Sequence, residues 1–283
     1  MSIEANQNVG NGRHYRDDVP YLLPMDLGED ERLNLQHFIF RYALKGNHAA
    51  PLSKSVTQIL DVGSGPGIWG REVALQFPSA SVFGVDLEPP HPVSSSTSAP
   101  VSPPNYHFVQ GNVLQGLPFS ADTFDFTHQR MLVAAIPTQD WSRVVQELAR
   151  VTRPGGWIEL MEYRTPLFNA GPATELLFAW TQDVLLSRGI DLSKTEEMGM
   201  MLTQAGLRQV TQQSIDVPCG AWDTQVGVLM ERNLIDGFGG IKPVACKLLQ
   251  IAPAEFDRQL ATAVLECKER HTIARFYLVY GQV

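Results

Sequence analysis

The apolar positions of this chain change period several times, and each change marks an element. Residues 58–62, Gln-Ile-Leu-Asp-Val, form the short apolar run of a buried strand. Gly63, Gly65 and Gly67 break it, and a helical spacing follows over residues 68–77. Strand-like runs recur at 81–86, 106–110, 123–128 and 156–163, separated by helix or loop, an alternation that predicts a parallel sheet. Residues 138–152 put Trp141, Val144, Val145 and Leu148 on one helical side, and 193–205 open on a Ser193-Lys-Thr-Glu196 capping box and stop at Gly206. The last two strand-like runs, 207–217 and 274–280, bracket a mostly helical stretch in which Pro253 opens a helix with Phe256, Leu260, Val264 and Cys267 inward. Upstream, Asp26-Leu-Gly-Glu29 reads as a capping box for a helix running through Leu33, Phe38, Phe40 and Leu44 to Gly46.

Four segments follow: 1–50, an N-terminal extension and helix; 51–219, an α/β core; 220–271, a helical lid; and 272–283, the final core strand. Residues 88–104, rich in Pro, Ser and Thr, read as a surface loop.

Composition narrows the partners. The 283 residues carry 22 Lys and Arg against 30 Asp and Glu, a net charge of −8, which disfavours a polyanion such as nucleic acid. The first eighteen residues lack an apolar leader core and no run is long enough to span a bilayer, so a soluble cytoplasmic protein without membrane partners is expected. Cys219, Cys246 and Cys267 are too widely spaced for a metal clip, and no metal site is expected.

The candidate chemistry begins at the glycines. Gly63, Gly65 and Gly67 let a ligand approach the backbone at the start of a helix, and Asp86, about 20 residues on, is placed to accept both hydroxyls of a ribose. Gly65-Pro-Gly67-Ile-Trp-Gly70 also has the spacing of a dinucleotide turn. Asp61 opposes that reading, because a carboxylate at the strand end repels a pyrophosphate and pairs with an ammonium.

On these residues the chain resembles the class I S-adenosylmethionine-dependent methyltransferases, whose first motif is matched by Asp61-Val-Gly63-Ser-Gly65-Pro-Gly67. Gln110-Gly-Asn112-Val113 is similar to the adenine-contacting segment, Asp122-Thr-Phe-Asp125-Phe to the fourth strand, and Arg153-Pro-Gly-Gly156 to the turn before the fifth. The resemblance implies a Rossmann-like fold: a mostly parallel seven-stranded sheet with helices on both faces, an N-terminal helix, and a helical insertion between the last two strands. It implies S-adenosylmethionine as cofactor, S-adenosylhomocysteine as product, and donor contacts from Asp61, Gly63, Gly65, Gly67, Asp86, Leu87, Asn112, Val113 and His128. Asn112 stands where many relatives carry Asp; its side-chain carbonyl can accept from the adenine amino group.

Gly12-Arg-His-Tyr15, Tyr21 and Asp30-Glu-Arg-Leu-Asn-Leu-Gln-His37 are similar to natural-product methyltransferases, including velvet-associated regulators of fungal secondary metabolism and carbon methyltransferases of the teleocidin type. This resemblance implies a hydrophobic small-molecule acceptor roofed by the N-terminal helix and the lid, with Tyr21 closing over the donor, and carbon methylation of an isoprenoid alkene followed by cyclisation. Oxygen or nitrogen methylation assisted by His128 is the competitor, and a regulator that binds the donor without turnover is a third reading. Arg130 and Gln129 are candidates for the methionine carboxylate or for a solvated surface. At most one of Glu162 and Tyr163 faces the acceptor, since neighbours in a strand point to opposite faces. Met198, Met200, Met201, Trp180, Trp222 and Phe238 are core or, in part, acceptor wall, and the N-terminal helix is a candidate homo-oligomer contact.

Overall fold

The computed structural model describes residues 7–9, 13–16, 18–91 and 102–283. Gly12 of the N-terminal motif and most of the Pro/Ser-rich loop lie outside the described residues. The elements in chain order are β1 (Gln7–Val9), β2 (Arg13–Tyr15), α1 (Leu27–Leu44), β3 (Gln58–Val62), α2 (Ile68–Gln76), β4 (Ser81–Asp86), β5 (Tyr106–Gln110), β6 (Phe124–Arg130), α3 (Trp141–Val151), β7 (Thr152–Phe168), α4 (Pro172–Leu186), α5 (Met198–Gln204), β8 (Arg208–Pro218), α6 (Gln225–Leu249), α7 (Pro253–Glu269) and β9 (Ile273–Gln282).

Seven strands form one sheet in the order β5-β4-β3-β6-β7-β9-β8. All neighbours are parallel except β9, which runs antiparallel to both β7 and β8. Chain order reverses beside β3, whose neighbours are β4 on one side and β6 on the other, and ligands of open α/β sheets bind outside the strand ends at such a point.

Alternation along β3 assigns helices to both faces. Ile59 packs with Trp69 and Val73 of α2 and with Phe126, whereas Leu60 and Val62 pack with Val144, Val145 and Leu148 of α3. The insertion between β8 and β9 is the helix pair α6 and α7, which packs with α4. The sequence pattern missed α4, an apolar segment with Pro172 in its first turn. Helix α1 lies against α6 of its own chain and buries Ile39 and Phe40 beside Phe276 of β9. No helix among the described residues is long and apolar enough to cross a membrane.

Two caps differ from the sequence pattern. Asp26 does cap α1, accepting from the Glu29 amide at 3.0 Å, but the Glu29 side chain turns to Arg32. At residues 192–197 the chain forms a 3-10 turn capped by Asp191, whose carboxylate accepts from the Ser193 amide at 3.0 Å. The carboxylate, a stronger acceptor than a hydroxyl, displaces the expected Ser193 cap.

Candidate functional site

At the carboxyl ends of β3, β4 and β6 lies a cleft of about 1400 Å³, its open mouth included. Tyr21, Asp61, Gly63, Gly65, Asp86, Leu87, Asn112, Val113 and His128 all line it. Gly67 stands one step behind, at the N-terminus of α2 with φ +78°, and any Cβ there would meet the Tyr106 hydroxyl. Its absent side chain serves packing beneath the loop. Gly63 has φ +71°, and a Cβ on it would come within 2.5 Å of Leu132.

The Asp86 carboxylate is held by the turn it faces. One oxygen accepts the Gly65 amide and the other the Leu87 amide, each at 2.6 Å. Each oxygen keeps a lone pair, so the geometry leaves room for two hydroxyl donors. Burial pushes the Asp86 pKa up to about 6, against the lowering effect of the two amides.

Asp61 and His128 face each other across paired strands, with Nδ1 of His128 2.8 Å from Oδ1 of Asp61. The imidazole stacks on Trp69 at 3.9 Å and 4° between planes, and burial lowers its pKa. A ring fixed on one nitrogen and one face orients the Asp61 carboxylate. Asn112 is engaged as well: its Oδ1 accepts from the Leu114 amide at 2.9 Å, capping the 3-10 turn Val113–Gln115, so its NH2 is the group left to donate.

The roof is a buried side-chain network. Tyr21 donates to Oε1 of Glu29 at 3.2 Å. Arg32 meets the two Glu29 oxygens at 2.9 and 2.6 Å and reaches Oδ1 of Asn233 on α6 at 2.9 Å. Burial, with Glu29 alongside, holds the Tyr21 hydroxyl well above its ordinary pKa, so it remains a proton donor. At the mouth, Nδ1 of His91 lies 2.9 Å from Oδ2 of Asp30, and both line the cleft. Arg32, Asn233, Tyr106 and His91 were absent from the sequence candidates. His91 carried a local signal, its position shortly after the strand-end acid, and Arg32 lies within the Asp30–His37 motif.

Glu162 and Tyr163 lie outside the cleft lining. Glu162 accepts from the Leu132 and Val133 amides at 2.9 and 3.0 Å, pinning a turn in which Met131 has φ +59° and presenting Leu132 to Gly63. Tyr163 stacks on Phe178, with ring centres 5.6 Å apart. Trp180 stacks on Phe256 and Trp222 on His271, and Phe238 meets Phe178 edge-on, so these aromatics pack the accessory helices and do not line the cleft.

Residues 59–156 match a family model described as a methyltransferase domain. The chain is 28% identical over 282 residues to the N-methyltransferase sirN of Leptosphaeria maculans, covering 94% of this chain and 96% of that one. It is 28% identical to the secondary metabolism regulator LAE1 of Cochliobolus heterostrophus, over 78% of this chain and 74% of the regulator. A solved phosphoethanolamine N-methyltransferase 2 of Haemonchus contortus, in complex with S-adenosylhomocysteine, matches the fold with a TM-score of 0.50 at 12% identity, over 89% of this chain and 57% of that one. The chain is an S-adenosylmethionine-dependent methyltransferase. The cleft suits that donor: an acid with two free acceptor positions stands at one end, a second carboxylate at the neighbouring strand end, and the glycine turn lies between them.

Proposed function

We propose that this methyltransferase transfers the methyl group to a nitrogen of a hydrophobic small-molecule secondary metabolite. Its donor site is the cleft between Asp61 and Asp86. The observation that carries the donor assignment is the convergence of the Gly65 turn, Asp86 and Asp61 at the ends of adjacent strands. When bound, the donor supplies a methyl group on a cationic sulfur that departs as a neutral thioether.

The chain's own residues then align and exclude water, which is most of what a one-step displacement needs. Asp86 accepts the ribose hydroxyls, Leu87 and Val113 flank the adenine, Asn112 Nδ2 and the neighbouring backbone read its edge, and Asp61, oriented by His128, takes the ammonium. Tyr21 and Glu29 close the roof. The acceptor nitrogen gives its lone pair to the methyl carbon, and its proton leaves through the mouth, where Nδ1 of His91 lies 2.9 Å from Oδ2 of Asp30.

Two observations favour nitrogen over carbon. The full-length relative sirN is named an N-methyltransferase, and Trp180, Trp222, Phe178 and Phe238, whose π faces would stabilise a carbocation, are packed away from the cleft.

The test is incubation with methyl-labelled S-adenosylmethionine and a panel of apolar amines and isoprenoid alkenes, with products read by NMR. Label on nitrogen supports the proposal. Label on carbon replaces it with alkene methylation, and donor binding without turnover of any acceptor favours a regulatory role.

A further inference from the structure

Helix α6 carries the residues least suited to a rigid helix near its middle. Within Gln225–Leu249 it reads Asp236-Gly237-Phe238-Gly239-Gly240-Ile241-Lys242-Pro243. Pro243 has no N–H, so the carbonyl of Gly239, four residues before it, loses its helical donor, and the proline ring crowds that same carbonyl. Glycine is about fivefold less favourable than alanine at each helical position.

Packing accounts for one of the three glycines. A Cβ on Gly240 would stand 3.0 Å from Leu23 and 3.1 Å from Pro24, whereas around Gly237 and Gly239 nothing lies within 4 Å of the place a Cβ would take. Those two loosen the helix where the fold does not need the room. The weak stretch also falls where α6 changes neighbours. Val226 and Met230 pack with Ile39 and Phe40 of α1, whereas Phe238, Ile241 and Ala245 pack with Leu177 of α4 and Phe256 of α7.

The segment ahead of α1 grips α6 on both sides of the open glycines. Val19, Pro20, Tyr21, Pro24 and Met25 form a strap along the cleft wall. One grip is Gly240, whose carbonyl accepts from the buried Tyr15 hydroxyl at 2.8 Å and whose bare Cα lies against Leu23 and Pro24. The other is Asn233, reached from Tyr21 through Glu29 and Arg32. Arg188 adds a tie to the Val19 carbonyl at 3.2 Å. Gly237 and Gly239 stand between the two grips, so a bend there changes the spacing of Asn233 and Gly240 and the strap cannot hold both.

We infer that α6 is the hinge of a gate: bending over Gly237–Pro243 parts Asn233 from Gly240, loosens the strap and lets the donor and its product exchange. This inference rests on the donor site proposed above. A hinge of this kind sets how fast a ligand enters and leaves the closed cleft, and leaves how tightly it is held nearly unchanged.

The test is stopped-flow binding of S-adenosylhomocysteine to the intact protein, read by tryptophan fluorescence because Trp69 lines the cleft, with calorimetry for affinity and thermal melting for the fold. The double variant Gly237→Ala, Gly239→Ala is expected to melt roughly 4 °C higher and to slow association and dissociation alike by about 10-fold, with affinity within about threefold of the wild type. Pro243→Ala is expected to slow both rates in the same way. Tyr15→Phe, which removes the hydrogen bond to Gly240, is expected to speed both by about 3- to 10-fold. Dissociation that is unchanged or faster in a double variant that melts higher overturns the inference. A double variant that melts lower overturns it too, since the helix would then need these glycines for packing. Failure of the wild type to bind S-adenosylhomocysteine overturns the donor site itself.

Discussion

The floor of the cleft is built from backbone and short side chains fixed by strand register, whereas its roof is built from long side chains that meet across the chain. On the floor, Asp86 is held by the amides of Gly65 and Leu87, neither more than 21 residues away. In the roof, Arg32 joins Glu29 to Asn233, 201 residues away. A floor of this kind has few alternative states and suits a ligand shared by many enzymes. A roof of this kind can change with the acceptor, at the risk that loss of one partner leaves a buried charge.

The largest effect should come from breaking the roof. Arg32→Met leaves the Glu29 carboxylate buried with Tyr21 alone, a loss of about 3–5 kcal/mol in stability. Thermal melting would register it as a drop of roughly 10 °C. The double variant Glu29→Gln, Arg32→Met should recover much of it; a single variant that melts like wild type would show that the roof is not held by this pair.

Breaking the floor should do the reverse, costing the ligand more than the fold. Gly63→Val forces a β-branched residue into φ +71° and its Cβ against Leu132, and S-adenosylhomocysteine affinity should fall at least about 100-fold by calorimetry, on the scale of a left-handed position that a β-branched side chain rarely adopts.

Asp86→Asn should weaken the same ligand by about 10- to 100-fold through loss of charge-assisted bonds to the ribose. It also sharpens the comparison through pH. With the Asp86 pKa raised to about 6, wild-type affinity should climb as pH rises through 6 and then level, and the Asn variant should flatten that curve.

A smaller effect belongs to the supports beneath both regions. Burial raises the pKa of Glu159, which accepts from the Ala49 and Ala50 amides at 2.8 and 2.7 Å, to about 7 and that of Glu162 to about 8, from 4.5. Folded carboxyls that bind protons more tightly than unfolded ones contribute stability that is full below pH 4.5 and is lost as pH rises through those values. Melting should therefore be higher at pH 6 than at pH 8.5, with Glu162→Gln reducing the difference.

The same contrast decides what the sequence disclosed. The glycine turn, Asp61 and Asp86 were legible because their chemistry depends on local spacing, and the sheet was legible because apolar runs alternate with helical ones. Asn112 lines the cleft, but the side-chain carbonyl expected to face the adenine is taken by the Leu114 amide. At most one of Glu162 and Tyr163 was expected to face the acceptor, and neither lines the cleft, because the Leu132 and Val133 amides hold Glu162 and the Phe178 ring holds Tyr163. Arg32–Asn233 and the Tyr106 packing under Gly67 lay beyond reach, because each depends on which distant segment the fold brings alongside.

Titration of S-adenosylhomocysteine and of NAD into the intact protein tests the central claim most directly. The Asp61–Gly65–Asp86 cradle predicts saturable uptake of S-adenosylhomocysteine, one molecule per chain, and no heat from NAD. A folded protein that ignores S-adenosylhomocysteine, or that takes up NAD in its place, contradicts it.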